Sequence, residues 1–155
     1  MKAHPAAVAA AVHMALTASH TVADHLVQTD AQAVAKGRPG REGQAPCAAH
    51  CATYAATQAL TLYGANRALR LGLRSGPAIA ALTVSAVTHY LIDRSAGHWA
   101  EEQPTTRLAR LLHRTGKGAW LTRDPQAPYR CDQALHHGVL AVAAVIAALP
   151  NTKEN

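Results

Sequence analysis

Three short stretches carry residue types and spacings suited to metal chemistry. His20 to Asp24, His89 to Asp93 and Asp132 to His136 each place one imidazole and one carboxylate four residues apart. On an α-helix such residues share a face, one turn apart, so each pair can grip one ion. His50, alone in an apolar helix-forming run, adds a further donor. These nitrogen and oxygen ligands suffice for one closed metal site or two open ones.

Neutral imidazole and carboxylate suit Zn, Mn, Fe or Ni, and the donor set predicts one or two such ions. A mixed His/Asp set without a thiolate majority points to catalysis rather than to a structural ion. With a position open, an ion lowers the pKa of a bound water and polarises a phosphoryl or carbonyl oxygen. The expected reaction is metal-assisted hydrolysis of a phosphoester or similar anionic small molecule. His20, Asp24, His89, Asp93 and Asp132 are the expected primary ligands. His50 and His136 complete a second site or serve as acid and base. Gln28 and Gln133 orient ligands or meet substrate, and Lys36 or Arg94 neutralises substrate charge. The competing reading is that His and Asp pair with one another across facing helices without an ion. Buried charge is costly unless paired or metal-bound, so many such groups at one place favour the ion.

The elements that must position these residues are helical. The chain is dominated by Ala and Leu, has no Phe, and rarely alternates with the period of two that strands need. Its 155 residues suit a single domain, 1–155. Helix one is predicted from His4 to Gln28, a loop from Lys36 to Pro46, and helix two from Cys47 to Leu71 with His50 in its first turn. A turn from Arg70 to Pro77 leads into helix three, Pro77 to Ala96. The connection from Gly97 to Pro128 contains an amphipathic basic stretch, Thr106 to Arg114, and helix four follows from Tyr129 to Leu149. The expected fold is an all-α, four-helix up-down-up-down bundle with a short amphipathic helix between helices three and four. In that arrangement all the candidate ligands fall at one end.

The formal net charge of +6 predicts attraction to anions, and the loops from Lys36 to Arg130 at the ligand-bearing end hold most of the Lys and Arg. With two helix N-termini pointing the same way, that end suits a phosphate. Interleaved aromatics and recognised motifs are lacking, which disfavours nucleic acid as a partner. Cys47, Cys51 and Cys131 are an odd set in a chain without a signal peptide's cleavage pattern, so no disulfide framework is expected. Cys47 shares a face with His50 as a candidate soft ligand, and all three cysteines read more simply as small buried side chains.

The ordered motifs resemble the family called domain of unknown function 3307, found in bacteria and phages and usually predicted to be polytopic membrane proteins. The resemblance rests on His20, Asp24, Gln28, Lys36, His50, His89, Asp93, Asp132, Gln133 and His136. The family often shows a second His where this chain has Tyr54, and a Lys near the place of Arg94. Its aromatic-rich helices are thinned to Ala here. The resemblance implies an inner-membrane location, and by the Lys/Arg asymmetry the site would face the cytoplasm. A cytoplasmic Ala-packed bundle is the alternative.

The alternative function is a non-enzymatic small integral membrane protein whose His/Asp cluster binds or conducts a metal ion or proton. Such a pathway needs polar residues along the whole bundle, whereas beyond His13 and Thr83 the far half is largely apolar. His137 points about 100° away from His136 and reads as a bystander. His4, His13, His25, His98 and His113 read as surface or packing residues. Trp99, Trp120, Tyr90 and Tyr129 suit either an interface belt or packing under the long loop.

Overall fold

In the computed structural model, which describes residues 4–149, the described chain is entirely helical and contains no strand. Helix α1 (Pro5–Val22) is Ala-rich and opens with Pro5 in its first turn, while the His4 side chain accepts from the Ala6 amide. Instead of running on as α-helix to Gln28, it widens into a π turn, Ala23–Val27, closed by the Gln28 amide on the Ala23 carbonyl at 2.8 Å. A π turn admits one extra residue and so re-aims the side chains it carries, here Asp24.

Thr29 and Gln32 form a capping box that starts a short helix missed by the sequence reading, α2 (Asp30–Ala35). That helix delivers Lys36. Helix α3 (Gly40–Leu69) begins seven residues earlier than predicted, so His50 lies in its third turn and Pro46 lies inside the helix. The GREGQAP composition suggested a loop, but Pro46 stands close enough to the helix start for few hydrogen bonds to be lost. Gly43 is required there: a Cβ would strike the Arg38 carbonyl and the Arg94 guanidinium.

Arg70 ends α3 in the left-handed region, and the Asn66 side chain accepts from the Leu73 amide across the turn. Helix α4 (Ser75–Asp93) follows. Within the long connection, Thr106 caps α5 (Arg107–Leu112), which passes through a π turn (His113–Lys117) into α6 (Gly118–Arg123). The predicted amphipathic segment, Thr106 to Arg114, is therefore α5 and the start of the π turn, and α6 follows beyond a kink at Gly116, whose φ is 85°. Helix α7 (Ala127–Ala147) closes the described fold.

Helices α1 and α4 each pack against both α3 and α7. Val8, Val12, Leu16, Leu62, Ala81, Leu140 and Ala144 form one apolar cluster, and alanines rather than large side chains set its close spacing. A second cluster, Ile92, Trp99, Ala109, Leu121 and Ala127, sits under the long connection. Between them lies a buried polar layer that includes His20, His50, Gln58, Ser85, His89, Asp93 and His136. By length and composition, Pro5–Val27 and Ser75–Asp93 are apolar enough to cross a bilayer, a test that buried core helices also pass.

Candidate metal centre

The seven donors of the polar layer are brought in by five elements. His20 comes from the last turn of α1, Asp24 from the π turn, His50 from α3, His89 and Asp93 from the end of α4, and Asp132 and His136 from the start of α7. The tightest knot is formed by His50, His89, Asp24 and Asp93. His50 Nε2 lies 2.9 Å from His89 Nε2. Asp24 Oδ1 is 3.3 Å from His50 Nε2 and 3.5 Å from His89 Nε2, and Asp93 Oδ2 is 3.5 and 3.3 Å from the same two atoms. Donors about 2.0–2.2 Å from one ion stand roughly 3.0–3.6 Å apart, so Asp24, His50 and His89 fit a single coordination sphere, and Asp93 stands at the same spacing from both rings.

A second set lies beside it. His136 Nε2 is 3.6 Å from Asp93 Oδ1 and 3.5 Å from Asp132 Oδ2, and His20 Nε2 is 3.6 Å from Asp24 Oδ2. His20, His89 and His136 also offer ring nitrogens within 4.8 Å of one another. The two carboxylates Asp24 and Asp93 thus face both sets, each with one oxygen per side. Asp24 Oδ1, Asp93 Oδ2, Asp132 Oδ1 and His136 Nε2 are buried without a hydrogen-bond partner. Such orphaned acceptors are expensive unless a cation satisfies them.

The surroundings fix protonation. Burial lowers the His20 imidazole to about 4, against the pull of Asp24, and burial likewise lowers His89. Burial alone would raise Asp24, but the close approach of the His50 ring, with His89 and His20 beside it, outweighs this and holds it at about 2. Asp93 is depressed in the same way, by His136, His89 and the Lys36 ammonium. Asp132 moves the other way, raised by burial. Neutral rings and ionised carboxylates are the states in which both residue types ligate.

Lys36 and Arg94 are already engaged. Lys36 Nζ donates to Asp93 Oδ1 at 3.0 Å, and Arg94 donates to the Lys36 carbonyl. Arg94 therefore holds the chain that carries Lys36. Gln133 accepts from His20 Nε2 at 3.2 Å and reaches Asp132 at 3.4 Å. Gln28 keeps a buried, unpartnered amide nitrogen and lines a cavity of about 370 Å³ with Asp24, Lys36, Trp99, Tyr129 and Asp132. That cavity is the opening onto the donors.

Beneath the donors lies a network that the sequence reading missed. Tyr54 stacks on His89 with ring centroids 3.7 Å apart. Its hydroxyl meets Ser85 at 2.8 Å and accepts from Gln58 at 2.8 Å, and Ser85 donates to Gln58 Oε1 at 2.7 Å. The signal was present as continued four-residue stripes, His50-Tyr54-Gln58 on α3 and Ser85-His89-Asp93 on α4. The Nδ1 atoms of His20, His50 and His89 have no partner, so packing against Tyr54 and contacts at Nε2 orient those rings.

The remaining candidates stand aside. His137 is exposed, although its ring centroid is 5.7 Å from that of His20. His98 joins Gly37 and Glu101, and His113 joins the Trp99 carbonyl, so both staple the long connection. Cys47 and Cys51 are buried free thiols beside Asp93, and Cys131 is a free thiol. No protein family model, curated protein or solved structure matches this chain.

Proposed function

We propose that the protein is a metal-dependent hydrolase of a phosphoester or similar anionic small molecule. The observation that carries this reading is the four-donor knot of His50, His89, Asp24 and Asp93, with the orphaned oxygens Asp24 Oδ1 and Asp93 Oδ2 inside it and the other oxygen of each carboxylate turned toward a second donor set. His20, Asp132 and His136 complete that second set. Zn, Mn, Fe or Ni, as one or two ions, suits these donors. Bound there, an ion supplies Lewis-acid activation of water and of a phosphoryl oxygen.

The chain's own groups then have separate duties. Asp24 and Asp93 each turn one oxygen to each donor set and hold two charges in place. Asp132, with Oδ1 unpartnered and lining the cavity, is placed to take or give a proton. Gln28 offers an amide donor to whatever enters, and Trp99 and Tyr129 limit its size. Lys36 balances Asp93 and stands at the cavity wall, near enough to offset substrate charge.

The proposal includes an up-down-up-down arrangement of α1, α3, α4 and α7. The ends carrying His20, His50, His89 and His136 meet at the donors, and the opposite ends meet at Val8, Leu62, Ala81 and Ala147. The apolar cluster also argues against an ion conduit, because among the described residues the buried polar side chains stop at Gln58 and Ser85. Membership of the domain of unknown function 3307 family is part of the same proposal and rests on the ordered motif alone.

The test is hydrolysis of chromogenic phosphomonoesters and phosphodiesters after reconstitution with each of the four metals. The reading predicts turnover with at least one metal, and its loss with a chelator and in Asp93→Asn. A metal-loaded protein that cleaves none of these esters contradicts the hydrolase assignment.

A further inference from the structure

Away from the metal centre, an apolar groove with a basic lip runs between α4, α5 and α7. It holds about 660 Å³ and is walled by Leu91, Ile92, Leu108, Leu111, Leu135 and Val139. The apolar surface continues outward along α4 to Val87 and along α7 to Val142, both exposed.

At the lip, Arg107, Arg110 and Arg114 recur at helical spacing and line an adjoining hollow of about 320 Å³ with Leu111. All three are exposed, and among the described residues none has a carboxylate within 4.0 Å. Like charges at this spacing repel one another, so the lip is complementary to an anion. Leu111 and Arg107 belong to both hollows, which makes the apolar and basic parts one surface.

We propose that this groove binds an anionic phospholipid, with an acyl chain along α4 and α7 and the headgroup phosphate on Arg107, Arg110 and Arg114. A basic amphipathic segment beside an exposed apolar stripe has the composition that acidic lipid surfaces attract. A free phosphate would satisfy the arginines and leave the groove empty, and a zwitterionic lipid would fill the groove without meeting the net charge. The groove wall includes Arg94, which holds the Lys36 carbonyl, but none of the metal donors, so the proposal stands or falls separately from the hydrolase reading.

Trp99 and Trp120 pack in the same cluster as Leu108, Leu135 and Val139, so a brominated acyl chain in the groove will quench their emission. The full chain in non-ionic detergent is titrated with brominated phosphatidylglycerol and, separately, brominated phosphatidylcholine. Half-quenching is expected at a mole fraction about tenfold lower for phosphatidylglycerol. Arg107→Glu with Arg110→Glu removes that preference, and Leu111→Asp weakens quenching by both lipids, with helix content by circular dichroism unchanged. Equal quenching by the two lipids, or a preference that survives the double arginine variant, overturns the proposal. Calorimetric binding of inorganic phosphate without quenching by either lipid overturns it too, assigning the arginines to a free anion.

Discussion

Asp93 is the residue on which the donor sets turn. One of its oxygens faces His50 and His89, and the other faces Lys36 and His136. Asp93→Asn keeps the shape and removes the charge, and is expected to abolish metal retention. Gln133→Ala, which removes a neutral partner of His20 and Asp132 and leaves every carboxylate in place, is expected to weaken retention far less than Asp93→Asn. Competition against a chelating dye separates the two outcomes.

The protonation states give a second prediction at the same scale. His20 titrates near 4 when folded and near 6.5 when exposed, so the unfolded chain takes up its proton first as pH falls. Stability of the metal-free protein is therefore full above about pH 6.5 and declines toward pH 4, by on the order of 3 kcal/mol from this group. Asp24, held at about 2 when folded, extends the loss below pH 4. Urea unfolding in chelator across this range checks the slope, and a flat profile from pH 7 to 4 contradicts the burial argument.

At the scale of elements, the helices act as brackets whose ends carry the chemistry. The Tyr54, Gln58 and Ser85 network ties α3 to α4 directly beneath His89. Tyr54→Phe leaves two buried polar side chains short of a partner and is expected to cost about 1–3 kcal/mol, read from denaturant midpoints. Gly43→Ala is expected to displace Arg94, and with it the backbone of Lys36, raising the metal dissociation constant while helix content stays constant.

The same elements show what was legible in the sequence. His20 and Asp24, His89 and Asp93, and Asp132 and His136 were readable because helical spacing is a local property, and the polar layer does gather them. The end of α1 was not, since a π turn costs one residue of register and leaves no compositional mark. The start of α3 was hidden because Gly40, Gly43 and Pro46 read as loop residues, whereas Gly43 is needed for close approach of neighbouring chain. Lys36 and Arg94 were read as free cations. Their partners, Asp93 and a backbone carbonyl, lie more than 50 residues away in sequence, beyond any local pattern.

Over the whole molecule, the donors form a charged layer between two apolar clusters, so metal binding and folding are linked. Three carboxylates, Asp24, Asp93 and Asp132, face one engaged ammonium, Lys36. An ion that binds only the folded chain stabilises it, by about 2.7 kcal/mol at a hundredfold excess over its dissociation constant. Lys36→Met is accordingly expected to lower the melting temperature more in chelator than in metal, because an ion takes over the neutralisation of Asp93. Equal losses in both conditions would show that the ion does not reach Asp93.

The most direct test of the metal centre is elemental analysis of the purified protein beside a His89→Ala, Asp93→Ala double variant, after reconstitution with Zn, Mn, Fe or Ni. The account predicts one or two equivalents of a transition metal in the parent chain and none in the variant. Absence of bound metal in the parent after all four reconstitutions would contradict it, leaving a helical bundle held by buried His/Asp pairs.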